Sequence, residues 1–370
     1  MIPLVKPIFG DEEKRLVNAV IDSGIIASGK YVAEFEKKCA SYNSSKFALA
    51  TANGTVALHT ALIASGIKKG DKVLTTPFSF IATANSILYC GAVPVFADIS
   101  PETYNLSPEA CEEILEKDKS IKAIIIVHLY GMPCDMDSFQ KLKQKHNLLL
   151  IEDCAQAHGA KFKGKMVGSF GDVSAFSYYA TKNVTTGEGG IVLTDSEKIY
   201  DLSKQLINHG RSEHSVHTIL GYNYRLTNIA AAIGIAQMSR LEEWNRKRRG
   251  NADFLSHSLA GVKFIKTPKI PEGCEPVFHQ YTISIKADIR ERFMEYLLKN
   301  EVGCGVYYPM AIYNQPLYRG LGFKEGLCGE AEKAAQEVVS IPVHPALNKN
   351  DLEKIVSVIR NFTLRKWNSA

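Results

Sequence analysis

The chain has no apolar run long enough to cross a membrane. Stretches such as Ile124–Leu129 and Leu148–Ile151 fall far short of the roughly 20 residues a spanning helix needs. It also lacks a secretory start. Met1-Ile2-Pro3-Leu4-Val5-Lys6-Pro7 has no charged opening followed by an apolar core, so a cytoplasmic location is expected. Excess charge of one sign is slight: 44 Lys and Arg against 39 Asp and Glu leave +5 over 370 residues. That is too weak to argue for nucleic acid or an acidic membrane surface, and neither is expected as a partner. The cysteines, Cys39, Cys90, Cys111, Cys134, Cys154, Cys274, Cys304 and Cys328, form no Cys-x-x-Cys pair. Without clustered ligands no metal site is expected, and the thiols should be reduced and mostly buried. Internal repeats and low-complexity segments are absent as well. What remains is a chain 45% hydrophobic and 22% charged. Both values lie near the globular average, so a real core and an enzymatic role are expected, on a length that suits two domains.

From Lys46 to about Leu193 short β-rich runs alternate with helical stretches. The strand candidates are Phe47–Thr51, Lys72–Thr75, Val93–Asp98, Ile121–His128, Leu148–Glu152, Val173–Ser177 and Gly190–Thr194. Several, such as Ala123-Ile124-Ile125-Ile126-Val127, are apolar on both faces, as strands are when helices cover both sides of a mostly parallel sheet. Helices are expected near Val56–Ala64, Ala82–Tyr89, Pro108–Lys117, Met136–Lys145 and Ser196–Ile207. Ser107-Pro108 and Asp135 supply start signals for two of them. Tyr224–Arg249 reads as one long helix ending in Arg246-Lys247-Arg248-Arg249-Gly250. A helix C-terminus welcomes such cations, and no stacking aromatics are interleaved, so a solvated face is preferred to a nucleic-acid surface. Beyond it come strands at Val262–Ile265 and Gln280–Ile285, helices at Ile289–Lys299 and Ala331–Val339, and a closing helix at Asp351–Lys366. The expected division is a large domain over residues 1–249 and a smaller α+β domain over 250–370. The first ~20 residues are candidates to cross back onto the small domain.

Ligands of open α/β sheets bind beyond the carboxyl ends of the strands, and three segments put polar residues there. Thr51-Ala52-Asn53-Gly54-Thr55 offers either a phosphate seat at a helix N-terminus or an ordinary N-cap. Leu148–Ile151 runs into Glu152-Asp153, with Gln156 and His158 following. Asp153 there is either a carboxylate that keeps a heteroaromatic nitrogen protonated or a helix cap. His158 reads as a hydrogen-bonded structural histidine. The third segment, Ala175–Gly190, carries Lys182 in a small, hydroxyl-rich loop before a glycine turn. A lysine near a phosphate seat and a ring-directed carboxylate would suit pyridoxal 5'-phosphate (PLP): the lysine forms the Schiff base and the pyridinium stores electrons.

Together these segments resemble the PLP-dependent nucleotide-sugar aminotransferases of the DegT/DnrJ/StrS family. The resemblance runs from Pro3–Pro7 and Gly29-Lys30-Tyr31-Val32-Ala33-Glu34-Phe35-Glu36 to Pro342-Val343-His344-Pro345-Ala346-Leu347. Its specific parts are Asn53-Gly54-Thr55-Val56-Ala57-Leu58-His59, Glu152-Asp153 with Gln156-Ala157-His158-Gly159, and Phe176-Ser177 with Thr181-Lys182-Asn183. To these are added Thr186-Gly187-Glu188-Gly189-Gly190 and Gly221-Tyr222-Asn223-Tyr224-Arg225-Leu226. It implies an α/β, fold-type I, aspartate aminotransferase-like transferase. That fold has a large domain with a mostly parallel, mixed seven-stranded sheet covered by helices, and a smaller C-terminal α+β domain.

The resemblance also implies roles. Lys182 would be the Schiff-base lysine and proton shuttle. Asp153 would pair with the pyridine nitrogen and Gln156 with the ring hydroxyl. Gly54, Thr55 and Ser177 would hold the phosphate, joined by Asn223 of the neighbouring subunit, so a homodimer with shared active sites is implied. Phe80, in Pro77-Phe78-Ser79-Phe80, matches the aromatic that stacks on the ring; a core aromatic is the other reading. Arg225 either meets a substrate carboxylate or phosphate, or pairs at the subunit interface. The pattern departs at Val306-Tyr307-Tyr308-Pro309 and at Tyr313, where many relatives carry histidines in place of Tyr307 and Tyr313. Tyr307 and Tyr308 remain the candidates for sugar contact.

The activity implied is transfer of an amino group, from L-glutamate, to a keto group of a nucleotide-linked sugar in polysaccharide or glycan biosynthesis. The cofactor would alternate between its pyridoxal and pyridoxamine (PMP) forms. A sugar dehydratase of the same fold would carry histidine where Lys182 stands. A non-catalytic regulatory relative would not need Lys182, Asp153, Gln156 and Ser177 intact. An NAD-dependent oxidoreductase would need a Gly-x-Gly-x-x-Gly after the first strand, which is missing.

Overall fold

The computed structural model describes residues 1–212 and 216–363. The seven expected strands form one seven-stranded sheet: β1 (Phe47–Thr51), β2 (Lys72–Thr75), β3 (Val93–Phe96), β4 (Ile121–Val127), β5 (Leu149–Asp153), β6 (Val173–Ser177) and β7 (Gly190–Thr194). Their order is β1-β7-β6-β5-β4-β2-β3. The β2–β3, β2–β4, β4–β5 and β5–β6 pairs are parallel, and β7 runs antiparallel to both β6 and β1. Helices cover both faces. Along β4, Ile125 enters one core with Leu62 and Ile207, while Ile124 and Ile126 enter another with Phe139 and Leu150. That alternation explains the strand's unbroken apolar sequence.

β4 ends at Val127, one residue short of the expected His128, and two further strand ends move, each for a visible reason. β3 stops at Phe96 because Asp98 turns away, and its carboxylate accepts from the Glu330 and Ala331 amides at 2.9 and 3.0 Å. β5 lies one residue later than expected, so Asp153 is still in the ladder, opposite Val127 and Ala175. No helix begins there. The cap reading of Asp153 is therefore incorrect, since turns follow it.

The expected helix Tyr224–Arg249 is two helices, Asn228–Met238 and Leu241–Leu259. Thr227 caps the first, accepting from the Ala230 amide at 3.2 Å. The break falls at Ser239-Arg240, where the Ser239 hydroxyl bonds back to the Ala236 carbonyl at 2.6 Å. The second helix continues through Gly250, so the basic run sits mid-helix and is not a C-terminal feature. Only part of it is solvated: Lys247 pairs with Glu243 at 2.8 Å, whereas Arg248 is buried. Two early helices, Asp11–Asp22 and Lys30–Asn43, were not expected.

A three-stranded antiparallel sheet of Ile265–Lys266, Tyr281–Ile285 and Val338–Ile341 gathers a separate core, including Ile283, Phe293, Leu297 and Ile355. Ile2 joins it, through a bridge to Val302. The strand expected at Val262–Ile265 is only Ile265–Lys266. The helix expected to reach Val339 ends at Glu337, where the chain becomes strand. The last helix is Lys349–Asn361; the expected tail to Lys366 extends outside the described residues. No helix among the described residues is long and apolar enough to cross a membrane. All eight cysteines are free, and five of them are buried.

Candidate active site

The carboxyl ends of β1, β5 and β6 converge. After β1 the helix Gly54–Ala64 starts, and its cap is Asn53, whose side chain accepts from the Val56 amide at 3.0 Å. Gly54 is thus free of the capping role. A Cβ added to it would lie 2.7 Å from the Ser177 Cβ, so the helix start and the end of β6 are pressed together over Ser177. Gly190, at the start of β7, packs as closely, and a Cβ there would meet the Asn53 carbonyl oxygen at 2.3 Å. The result is a cup of backbone amides and the Ser177 hydroxyl, with Thr55 half-buried beside it. Such a cup at a helix start suits a phosphate.

Asp153 closes the neighbouring position. Its Oδ2 accepts from the Thr83 hydroxyl at 2.9 Å and its Oδ1 from the Ala155 amide at 3.1 Å. Burial pushes its carboxyl above the usual range, against the pull of those two donors and of the Lys182 charge. Gln156 is fixed at both ends: its Oε1 accepts from the Tyr130 amide at 2.7 Å and its Nε2 donates to the Tyr308 hydroxyl at 2.5 Å. His158 is structural. Its ring lies edge-on to Phe176 and Tyr178, and burial pulls it down to about 3, against a hydrogen bond with the Ser177 backbone.

Lys182 sits on the loop that leaves β6. The loop is closed by Tyr178 N–H to Gly189 C=O at 2.8 Å and Thr186 N–H to Tyr178 C=O at 2.9 Å. Burial lowers the Lys182 ammonium to about 8, with Asp153 pulling the other way. Next to it, the Asn183 side-chain Oδ1 meets His279 Nδ1 at 3.2 Å, and Arg248 Nη1 donates to the His279 backbone carbonyl at 3.3 Å.

The remaining expected residues divide. Phe80 is 62% exposed on the turn before the helix Ala82–Tyr89, which excludes the core reading. Asn223 is exposed and does not cap the following helix, whose cap is Thr227. Its loop runs beside β1 of its own chain: the Ala52 amide donates to the Tyr224 carbonyl at 2.7 Å, and Arg225 bridges Thr51. The Arg225 guanidinium donates to Asn208 at 2.6 Å. Tyr308 is buried, stacked on Tyr130 and edge-on to Phe78, while Tyr307 beside it is half-exposed. Tyr313 is fully buried, and its hydroxyl donates to Glu332 at 2.9 Å and accepts from the Cys328 amide at 3.0 Å. It braces the loop that precedes the helix Gly329–Glu337.

The chain matches the DegT/DnrJ/EryC1/StrS aminotransferase family over residues 7–360. It belongs to that family. It is 38% identical to a pleiotropic regulatory protein of Geobacillus stearothermophilus, over 95% of this chain and 94% of that one. It is 36% identical to GDP-perosamine synthase of Escherichia coli O157:H7, over 98% of both chains. A solved aminotransferase from Psychrobacter cryohalolentis superposes with a TM-score of 0.91 at 32% identity, covering 96% of this chain and 98% of that one. Within this fold-type I frame, three site-lining residues escaped the sequence. Thr83 gave no signal beyond a hydroxyl in a motif, Tyr130 none at all, and Arg248 was hidden in a run of cations.

Proposed function

We propose that this chain transfers an amino group from L-glutamate to the keto group of a nucleotide-linked sugar, using PLP. The observation that carries the reading is the placement of Asp153, Lys182 and the Gly54–Ser177 cup at or just after the carboxyl ends of β1, β5 and β6. The donor set fits the cofactor: an amide-rich cup with no room for a Cβ, a buried carboxylate for a ring nitrogen, and a lysine held near 8. When bound, PLP supplies an electrophilic carbon and an electron-accepting ring.

The chain's own residues do the rest. Lys182 anchors the cofactor and exchanges a proton with the substrate carbon, a task its lowered pKa suits near neutral pH. Asp153 holds the ring nitrogen protonated, and the Thr83 hydroxyl and Ala155 amide fix its plane. Gln156 presents the second N–H of its Nε2 to the ring oxygen, because Tyr130 occupies its Oε1 and Tyr308 takes the first N–H. Gly54, Thr55 and Ser177 hold the phosphate, with Asn223 arriving from a second copy. Phe80 covers the ring, and Arg225, Tyr307 and Tyr308 face the sugar.

A homodimer is supported by exposed apolar residues beside the Asn223 loop. Leu220 is 83% exposed, and Ile25 and Ile26 flank Ala27 and Ser28, which hydrogen-bond to Asn228 and Leu226. Large exposed apolar side chains of this kind are what a second copy would cover. We further read residues 1–249 and 250–370 as two domains, and the protein as a cytoplasmic enzyme of glycan biosynthesis. A sugar substrate is supported by the family and by the perosamine synthase relative. The regulatory name of the Geobacillus relative favours a second reading, without catalysis, but the chemistry-bearing set is intact here. The test is a panel of nucleotide-linked 3-keto and 4-keto sugars offered with glutamate to the PLP-loaded protein. An aminated sugar by mass is expected; none across the panel refutes the reading.

A further inference from the structure

Asn183 stands beside Lys182 and is buried, and both of its side-chain N–H groups are used. Its Nδ2 donates to Asn245 Oδ1 at 3.0 Å and to the Val277 carbonyl at 3.3 Å, and its Oδ1 meets His279 Nδ1 at 3.2 Å. Asn245, also buried, donates its own Nδ2 to the His158 carbonyl at 2.7 Å. These partners come from three parts of the molecule. His158 follows β5, Asn245 lies on the helix Leu241–Leu259, and Val277 and His279 precede the strand Tyr281–Ile285 of the small sheet.

Two backbone carbonyls, which can only accept, fix the direction of this chain of bonds. The His158 carbonyl claims the Asn245 amide nitrogen and leaves the Asn245 oxygen as an acceptor. Asn183 must then turn its nitrogen to Asn245, and the Val277 carbonyl requires the same orientation. With both N–H groups spent, the Asn183 oxygen faces His279. Only a ring nitrogen bearing hydrogen completes that contact, so His279 holds its proton on Nδ1 and a lone pair on Nε2. The ring stays uncharged. It is buried, and the titratable groups around it are Lys182 on the loop, Arg248 on the helix and His158 beyond β5, where the two cations oppose a second proton. A fully satisfied relay of this kind has one arrangement of low energy, and that stiffens whatever it holds.

We propose that Asn183 is a positioning residue for Lys182, held by a one-way relay in which neutral His279 is the Nδ1–H donor. This rests on the aminotransferase reading above. Lys182 serves in turn as anchor and as proton carrier, and a displacement of about 1 Å in such a group costs rate severely. Its side chain is long and flexible, so its reach is set by its backbone, and the adjacent asparagine is what pins that backbone. Through His158 the pin refers to the strand that ends in Asp153, and through Val277 and His279 to the approach to the small sheet.

The first measurement is the nitrogen NMR spectrum of His279 in the isotope-labelled full chain, with and without PLP, its signals assigned by their loss in His279→Asn. Nδ1 should show the shift of a protonated ring nitrogen and Nε2 that of a bare one, unchanged over about pH 6 to 9. Activity then separates positioning from packing. An asparagine amide can stand in for an Nδ1–H donor, so His279→Asn should stay within about threefold of wild-type kcat, whereas His279→Leu should lose about 10- to 100-fold. Asn183→Leu should lose as much, with KM for either substrate moved less than about threefold. In the cofactor-free Asn183→Leu chain, the pH midpoint for trinitrobenzenesulfonate labelling of Lys182, read by peptide mapping, should rise toward that of an ordinary lysine as the loosened loop admits water. If Asn183→Leu does not fold, the tautomer and the two His279 variants decide. A proton on Nε2 alone, a charged ring at neutral pH, or equal activity of His279→Asn and His279→Leu overturns the inference and leaves the aminotransferase standing. The expected tautomer and labelling in a chain that aminates no keto sugar support the relay and overturn the aminotransferase reading.

Discussion

Glu152 and Asp153 are neighbours on β5, and both carboxylates are buried, yet they are opposite in kind. Glu152 faces the side of the sheet away from the cup. His128 Nε2 meets it at 3.0 Å, and the amides of Gly168, Phe170 and Gly171 donate to it at 2.7, 2.8 and 2.6 Å. Burial alone would raise its carboxyl, but those partners hold it below the usual range. Asp153 has two donors, and burial wins. His128, Glu152 and Cys154 place ligand-type atoms together, but the carboxylate is already spent on the chain's own donors. A buried charge marks a site only where its hydrogen-bonding capacity is left over.

The sharpest way to break this contrast is to remove the charge that tunes Asp153. Lys182→Ala should lower transamination by at least about 10⁴-fold, since anchor and proton shuttle go together. Borohydride reduction followed by peptide mapping should find the cofactor on Lys182 in the wild type and nowhere in the variant; an adduct on another lysine would sink the assignment. Next, Asp153→Asn should cut kcat by about 10²- to 10⁴-fold, more than it changes sugar affinity. The same variant should leave the cofactor-free protein as stable as wild type, or more so. The folded carboxyl is raised above its unfolded value, so the wild type loses stability as pH rises through that folded pKa, and the amide removes the loss. A melting temperature at pH 7 clearly below wild type would put Asp153 in the same class as Glu152.

Glu152→Gln is the counterpart. It should cost about 3–5 kcal/mol, because the partners of a buried charge are left without it, and thermal unfolding measures it. Glu152 is depressed, so its contribution is present above the unfolded carboxylate pKa and fades as pH falls through the folded one. The gap between wild type and variant should therefore narrow in acid. A smaller effect concerns Asn223, which is exposed in its own chain. Lys182→Ala and Asn223→Asp chains should each be nearly inactive, yet co-refolded in equal amounts they should recover roughly a quarter of the sites. Half the dimers are mixed, and each mixed dimer holds one intact site. No recovery, with mixed dimers seen by native mass measurement, confines Asn223 to its own chain.

Much of this was legible beforehand. The seven strands stood out because runs such as Ile124–Val127 are apolar on both faces, which few other environments tolerate. Lys182 and Asp153 stood out as candidates because the first follows a buried strand and the second ends one. Other features were closed to sequence. The helix break at Ser239-Arg240 interrupts no apolar pattern and arises where Arg240 pairs with distant Glu13. Arg248 could not be told from Arg246 or Arg249 without knowing which face the helix buries. Thr83 acts through Asp153, seventy residues away in sequence, and Tyr130 acts through its backbone amide, which no side-chain motif can show.

The helix Leu241–Leu259 has one more consequence. Leu241 and Trp244 belong to the core beside the large sheet, while Ala252, Leu255 and Leu259 belong to the core of the small one. Neither core can melt without freeing half of a helix that the other still holds, and Arg248 ties the middle of it to Phe278 and His279. The energetic partition of the molecule is thus poorer than its architecture suggests. Heating should produce one calorimetric transition where two cores would allow two, and a protease should find no stable half to release.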